Sequence, residues 1–439
     1  MDRAVTGFRL PRLLLPRPGI DLRKWAVIAC DQHTAEPAYW EQVAREVGTA
    51  PSTLELILPE VYLDAADTDA RIARIRQSMR RYLADGVFVG HDGAVLVERT
   101  VDGRTRRGLM LELDLEHYDY AAGSTSLIRP TEGTIVERLA PRIAVRRDAP
   151  LELPHILVLI DDPQRTVIEP LAAARDHQRP LYETELMLGG GHLVGRALDA
   201  TQGAQAVRSL QALADPRAFA ARYGVPDGTP AMLFAMGDGN HSLATAKAIW
   251  RDARERFGMA HPSRYALVEV VNVHDPALEF AAIHRLLFGV AGDTRHALAQ
   301  AFGSRVVCTD VASAAQMRER VAAAAGSARV TTGLIGPGAR FSVVQIADPP
   351  SPPAVATWQP FIDSLIERRL AHEVDYVHGD AALERLALQA GRVGVHFAPI
   401  GKSELMRRVV HEGPTPRKTF SMGEAHEKRY YVEARRIGD

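Results

Sequence analysis

The stretch AMGDGNHSLATAKAIW, Ala235–Trp250, joins an apolar run to an amphipathic one through Gly-Asp-Gly-Asn-His-Ser. PAMLFAM (230–236) reads as a buried strand. Leu243, Ala246, Trp250, Ala253 and Phe257 recur at helical spacing and predict a helix over His241–Phe257. Gly237 and Gly239 permit positive φ and a close backbone approach. The start of the helix leaves free N–H groups and a positive dipole end, worth about 0.3–1 kcal/mol toward a nearby anion. Asn240, His241 and Ser242 add side-chain donors, and Asp238 can hold a cation or accept a proton. The alternative is an ordinary helix start with Asn240 or Ser242 as the N-cap.

Outward from this turn the chain alternates strand-like and helix-like segments. KWAVIAC (24–30) and LELILPEVYL (54–63) read as strands, with a helix between them over Ala38–Val47. Ile72, Ile75, Met79 and Tyr82 share one face of an amphipathic helix, Asp69–Ala84. VFVG, AVLVERTV and RRGLMLELDL alternate around HDG and VDGRTR, which predicts hairpins. HILVLIDDP (155–163) is a continuous apolar strand, ELMLGGGHLVG (185–195) a hairpin, and ALVEVVNV (266–273) a further strand. Alanine-rich helices are expected over 294–325, and ADPPSPPAVATWQP (347–360) is a Pro-rich linker candidate. The expected fold is α/β (mixed α+β).

With 439 residues the chain exceeds one comfortable hydrophobic core, so two domains are expected, 1–290 and 291–439. Apolar residues make up 46% and charged residues 24%, as in soluble globular proteins. A net charge of −1 argues against a nucleic-acid or membrane surface, both of which attract a basic excess. No apolar run spans a bilayer, and the N-terminus, broken by Pro and Arg, is not a signal peptide. Two cysteines, Cys30 and Cys308, cannot build a disulfide framework and fit a reduced, cytoplasmic compartment.

GDGNHSLATAK resembles a variant of the DGHHR motif of the prokaryotic domain of unknown function 1015 family. WAVIACDQHTAEPAYW, TEGTIVERLAPR, ILVLIDDP, LMLGGG, RYALVEVVNVHD, IHRLLF and PRKTFSMGEAHEKRYY resemble its other blocks in order, covering nearly the whole chain. The motif is similar to that of the ParB and sulfiredoxin superfamily, in which this strand–turn–helix binds nucleotide phosphates and to which an archaeal free-serine kinase belongs. The resemblance implies a ParB/sulfiredoxin-like core with a large insertion and a second C-terminal domain. Asn240 stands for the first His of DGHHR and Ser242 for its Arg, while Asp238 and His241 are retained. Losing the Arg removes a bidentate phosphate donor, for which Arg285 or Arg417 could substitute.

Residue chemistry adds further candidates. Asp31, at the end of an apolar run, suits a base acting on a hydroxyl, and Cys30 is a nucleophile or a small core residue. Arg129, Glu132, Glu137, Arg138 and Arg142 form a mixed-charge run that is either a solvated face or part of the site. Asp161 and Asp162 either ligate Mg²⁺ or cap a turn before Pro163. Arg417 and Lys418 suit phosphate neutralisation. GKS at 401–403 is not a Walker A loop, because position 396 is His where that pattern needs Gly, and HEVDYVH (372–378) lacks the four-residue spacing of a zinc HExxH helix.

The glycine turn and the resemblance together imply an enzyme that binds a nucleotide such as ATP or ADP, or a phosphorylated metabolite. By analogy with the free-serine kinase of the superfamily it resembles, the concrete expectation is a Mg²⁺-assisted phosphotransferase acting on a small hydroxylated substrate such as serine. The alternatives are a non-catalytic nucleotide sensor and a phosphatase using the same pocket.

Overall fold

The computed structural model describes residues 7–121, 123–134, 139–175, 178–349 and 354–438. It is a mixed α/β protein with two compact units. The first comprises Met1–Leu278, Met406–Pro414 and Gly423–Asp439, and the second Glu279–Leu405 and Thr415–Met422. The sequence places the division at 290/291, whereas the chain parts at 278/279 and its tail, 423–438, belongs to the first unit. Buried ion pairs hold that tail: Arg429 to Glu269, and Arg435 to Glu112 and Glu152.

The first unit is organised on a sheet in the order Ile128–Arg129, Phe234–Asp238, Leu157–Ile160, Tyr265–Asn272, Arg104–Asp114, Val95–Val101, Gly191–Ala197 and Pro180–Leu186. Both faces are covered. Leu109, Leu111 and Val268 point into one apolar core, and Met110, Val97 and Leu267 into another. This is why Leu157–Ile160 reads as an unbroken apolar run, while other strands of the sheet carry the buried charged residues Glu98, Glu112 and Glu269 among their apolar ones. The helix Asn240–Phe257 packs on the first face through Leu243, Ala246, Trp250 and Ala253. Each large side chain fully buried this way contributes about 1.5–3 kcal/mol. The helix Thr68–Ala84 buries Ile72, Ile75, Met79 and Tyr82. At the Val95–Val101/Arg104–Asp114 hairpin, Asp102 and Gly103 both take positive φ, 50° and 74°, as a tight two-residue turn requires.

Three expected elements differ. Lys24–Cys30 is not a strand. A short helix, Leu22–Trp25, is capped by Asp21, and the segment after it pairs only at Ile28 with Tyr430. Its apolar run reflects enclosure on all sides, which residue pattern alone does not distinguish from a strand. Leu54–Leu63 forms two 3-10 turns, Thr53–Leu56 and Glu60–Tyr62, separated at Pro59. Across HDG there is no hairpin, because Phe88–Asp92 pairs instead with Arg12–Pro16 in a separate small sheet. That partner lies far away in sequence, beyond the reach of turn signals.

The second unit is built on a sheet ordered Val306–Val311, Arg340–Ile346, Val330–Gly336, Arg392–His396, Phe280–Phe288 and Glu373–His378, with Phe420–Met422 also paired to Phe280–Phe288. The span 294–325 holds two helices, Thr294–Phe302 and Ala314–Ala323, divided by the strand Val306–Val311. The Pro-rich linker candidate lies inside this unit. From Ala354 it is a helix, Ala354–Glu367, because Trp358, Phe361, Ile362 and Leu365 make a buried stripe that outweighs Pro360. Among the described residues no helix is long and apolar enough to cross a membrane.

Candidate functional site

The strand Phe234–Asp238 lies between Ile128–Arg129, parallel, and Leu157–Ile160, antiparallel, and delivers the turn to the sheet's end. Gly239 is the N-cap of the helix Asn240–Phe257, at φ 79° and ψ 29°. A Cβ there would meet the Ile156 side chain at 3.1 Å and its backbone at 3.2 Å, so conformation and space both demand glycine. No side chain caps the helix, so neither Asn240 nor Ser242 acts as its N-cap. The Gly239 amide donates to Asp238 Oδ1 at 2.9 Å. Asn240 Oδ1 is buried without a hydrogen-bond partner among the described residues, an unusual state for a buried acceptor.

Around this turn the first unit gathers a polar cluster. Ser242 Oγ lies 2.9 Å from His155 Nε2, and His155 Nδ1 lies 2.8 Å from the Tyr431 hydroxyl. Tyr431 also accepts the Cys30 amide at 3.1 Å, and Asp31 Oδ2 lies 3.8 Å from His155 Nε2. The Glu60 amide donates to the Cys30 carbonyl at 2.8 Å, and the Glu60 carboxylate pairs with Arg142 at 2.6 Å. Asp238 Oδ2 is 3.0 Å from Lys428 Nζ.

Electrostatics divides these groups. Burial raises the proton affinity of Glu60, and Arg142 offsets only part of that. Burial acts on Asp238 in the same direction, but the adjacent Lys428 ammonium overcomes it and the carboxyl is held below its ordinary range. Burial, with Asp31 and Glu60 nearby, pushes the Cys30 thiol well up. Cys30 is therefore a protonated lining residue and not a nucleophile. A cavity of about 130 Å³ adjoins the cluster, lined on its polar side by Glu60, Arg142, His155, Ser242 and Tyr431.

Of the residues singled out in the sequence, Asp31 and the turn Gly237–Ser242 lie in this cluster, with Asp31 and Asp238 half-buried. Glu132 lies beside the turn, since its neighbour Thr131 donates to the Met236 carbonyl at 2.6 Å. His241 is half-buried in the helix's first turn. Arg129 is a correction. Its guanidinium is spent on the carbonyls of Thr125, Ser126 and Pro230, at the far end of the strand from the turn. Glu137 and Arg138 lie outside the described residues.

Asp161 is a second correction. It lies beyond the end of Leu157–Ile160 opposite the one that pairs with Asp238. Its carboxylate is taken by Tyr223 at 2.5 Å and His274 at 2.7 Å. Asp162 caps the Thr166 and Val167 amides. Neither Asp161 nor Asp238 belongs to a three-residue metal-ligating group among the described residues. Arg285, Arg417 and Lys418 belong to the second unit. Arg285 is fully buried there, bonded to Gln359 and to the Ile283, Arg417 and Lys418 carbonyls. Its donors hold the Arg417–Lys418 segment of that unit.

His155, Lys428, Tyr431 and Glu60 escaped the sequence reading. Two signals were present: a polar residue, His155, heading the apolar run ILVLI, and a Lys-Arg-Tyr-Tyr string in the charged tail.

Fold and site together define a mixed α/β protein that presents a glycine turn and a helix start to a polar cluster. The chain belongs to the family described as Protein of unknown function (DUF1015), whose model matches residues 14–434. Among curated proteins none matches it in sequence. Among solved structures it is similar to a mutant free serine kinase in complex with AMP, at 10% identity over 73% of this chain and 90% of that chain, TM-score 0.37. A mutant in complex with ADP is similar at 11% identity over 71% and 91%, TM-score 0.37. A conserved hypothetical protein from Pyrococcus furiosus is similar at 13% identity over 72% and 96%, TM-score 0.32.

Proposed function

We propose that the first unit binds a nucleotide and transfers its terminal phosphoryl group to a small hydroxylated metabolite such as serine. The observation that carries the reading is the polar cluster at the helix start. Ser242, Arg142 and Glu60 line one cavity, and Asp31 and the Asp238–Lys428 pair adjoin it through His155 and the glycine turn. Phosphoryl transfer asks a protein mainly for positioning and charge stabilisation. The helix start and Lys428 would hold the phosphate end, Lys428 acting as a point charge where the family motif has a bidentate Arg. The acceptor oxygen would attack the terminal phosphorus of ATP, its proton passing to the Asp31 carboxylate. The bond to the leaving ADP oxygen would break with its electron pair staying on ADP.

A resident Mg²⁺ does not fit Asp238, whose carboxylate already holds the Lys428 ammonium and the Gly239 amide, nor Asp161, whose oxygens are bonded to Tyr223 and His274. Mg²⁺ chelated by ATP would enter as part of the substrate.

The test is calorimetric titration of the full chain with ADP and ATP, with and without Mg²⁺, and then product analysis with ATP and serine or other small alcohols. The expected result is saturable nucleotide binding and a phosphorylated acceptor. Binding without turnover would favour a sensor, and phosphate release without an acceptor a phosphatase. Failure to bind nucleotide or inorganic phosphate at millimolar concentration would overturn the reading.

A further inference from the structure

We propose that the second unit contains a transition-metal site, with Zn²⁺ as the fitting ion, formed by His284, Asp380 and His396. His284 lies within the strand Phe280–Phe288, and His396 ends the neighbouring strand Arg392–His396. Asp380 opens the helix Asp380–Ala387, which comes directly after the strand pairing on the other side of Phe280–Phe288. The fold thus brings one ligand from each of three sequence segments to one point.

The three ligand atoms lie near enough for a small movement of the imidazoles to close them on one ion. Asp380 Oδ1 lies 3.0 Å from His284 Nε2 and 3.1 Å from His396 Nε2, and the ligand atoms all fall within 4.8 Å of one another. Two donors each about 2.1 Å from one Zn²⁺ stand roughly 3–3.4 Å apart. Both histidines are buried, 2% and 5% exposed, whereas half of the Asp380 side chain faces solvent. Two imidazoles and one carboxylate suit Zn²⁺, Co²⁺ or Ni²⁺ rather than Mg²⁺ or Ca²⁺, which take oxygen ligands. Three protein ligands with an exposed side also leave a coordination position open to water or a small anion. Arg318, 3.8 Å from Asp380 Oδ2, has its charge balanced by Glu384 at 3.0 Å.

Without the ion, the two Nε2–H groups donate to one carboxylate oxygen. His284 Nδ1 accepts the Phe397 amide at 3.2 Å, while His396 Nδ1 is buried with no partner among the described residues. Ion binding moves each imidazole proton from Nε2 to Nδ1. At His396 that change breaks no bond at Nδ1. At His284 it sets Nδ1–H against the Phe397 amide, two buried donors 3.2 Å apart, so coordination has to offset the cost of the unsatisfied donors or the Phe397 amide has to turn away.

The experiment uses tag-free, chelator-stripped full-chain protein titrated with ZnCl₂ by calorimetry, and with CoCl₂ by visible absorption. The expected result is one equivalent bound at micromolar or tighter Kd, d–d bands from Co²⁺, and no competition by millimolar MgCl₂. His396→Ala and Asp380→Asn should each weaken Zn²⁺ binding by more than about tenfold. Asp380→Asn keeps the side chain's shape if His396→Ala disturbs folding, and His296→Ala, an exposed histidine elsewhere, should change nothing. Absence of stoichiometric Zn²⁺ binding, or binding indifferent to both ligand variants, would overturn the proposal.

Discussion

Lys428 Nζ lies 3.0 Å from Asp238 Oδ2, tying the charged tail of the chain to the glycine turn. The pair is partly exposed, the side chains retaining 10% and 24% of their surface. Its contribution therefore falls between the roughly 0–1 kcal/mol of an exposed pair and the 3–5 kcal/mol lost on breaking a fully buried one. Lys428→Ala should lower stability by about 1–3 kcal/mol and weaken nucleotide binding. Denaturant melts and calorimetry on the same sample check both.

The same pair sets a pH dependence. Asp238 is held below its ordinary range, mainly by Lys428 working against burial. A depressed carboxyl stabilises the fold above its unfolded pKa, about 3.9, and loses that contribution as pH falls through the folded value. The stability gap between the native protein and Lys428→Ala should thus be full at neutral pH and shrink below about pH 4. A gap that stays constant from pH 6 to pH 3 would show that the ion pair is not what Lys428 supplies.

Glu60 has the opposite sign. Burial raises its folded pKa despite Arg142. Its contribution is fully present below the unfolded value, about 4.3, and is lost as pH rises through the folded one. Glu60→Gln should remove that slope, leaving stability flatter over the range upward from about pH 4. Melting temperature against pH for the two proteins provides the comparison.

Gly239→Ala addresses the turn directly. The left-handed conformation costs an L-residue about 1–2 kcal/mol, and the new Cβ would press on Ile156 at 3.1–3.2 Å. A loss of about 1–3 kcal/mol is expected, together with weaker nucleotide binding. Unchanged stability would mean that the turn relaxes freely and is no rigid cradle.

His155→Ala removes the link between Ser242 and Tyr431. Leaving the buried Tyr431 hydroxyl without its His155 partner should cost about 1–3 kcal/mol. His155→Gln, which can restore one hydrogen bond, should recover part of the stability. If both variants melt like the native protein, the Ser242–His155–Tyr431 chain has no structural weight.

The helices Thr68–Ala84 and Asn240–Phe257 and the turn at Asp102–Gly103 were legible in the residues, because helical periodicity and positive-φ turn chemistry are local properties. The Gly237–Ser242 turn was legible for the same reason. Its surroundings were not. His155 meets Tyr431 across 276 residues, and the cations that share the cluster, Arg142 and Lys428, come from a mixed-charge run and a charged tail that look solvated in one dimension. Arg129 and Arg285 carry the same charge and read just as well as phosphate ligands, yet their donors are consumed by nearby carbonyls. Lys24–Cys30 reads as a strand, but its enclosure comes from the returning tail, where Tyr431 donates to Val27 and Arg429 accepts from Ala29. Which polar groups remain to meet a ligand is set by hydrogen bonds formed between distant segments, and residue spacing carries no record of those pairings.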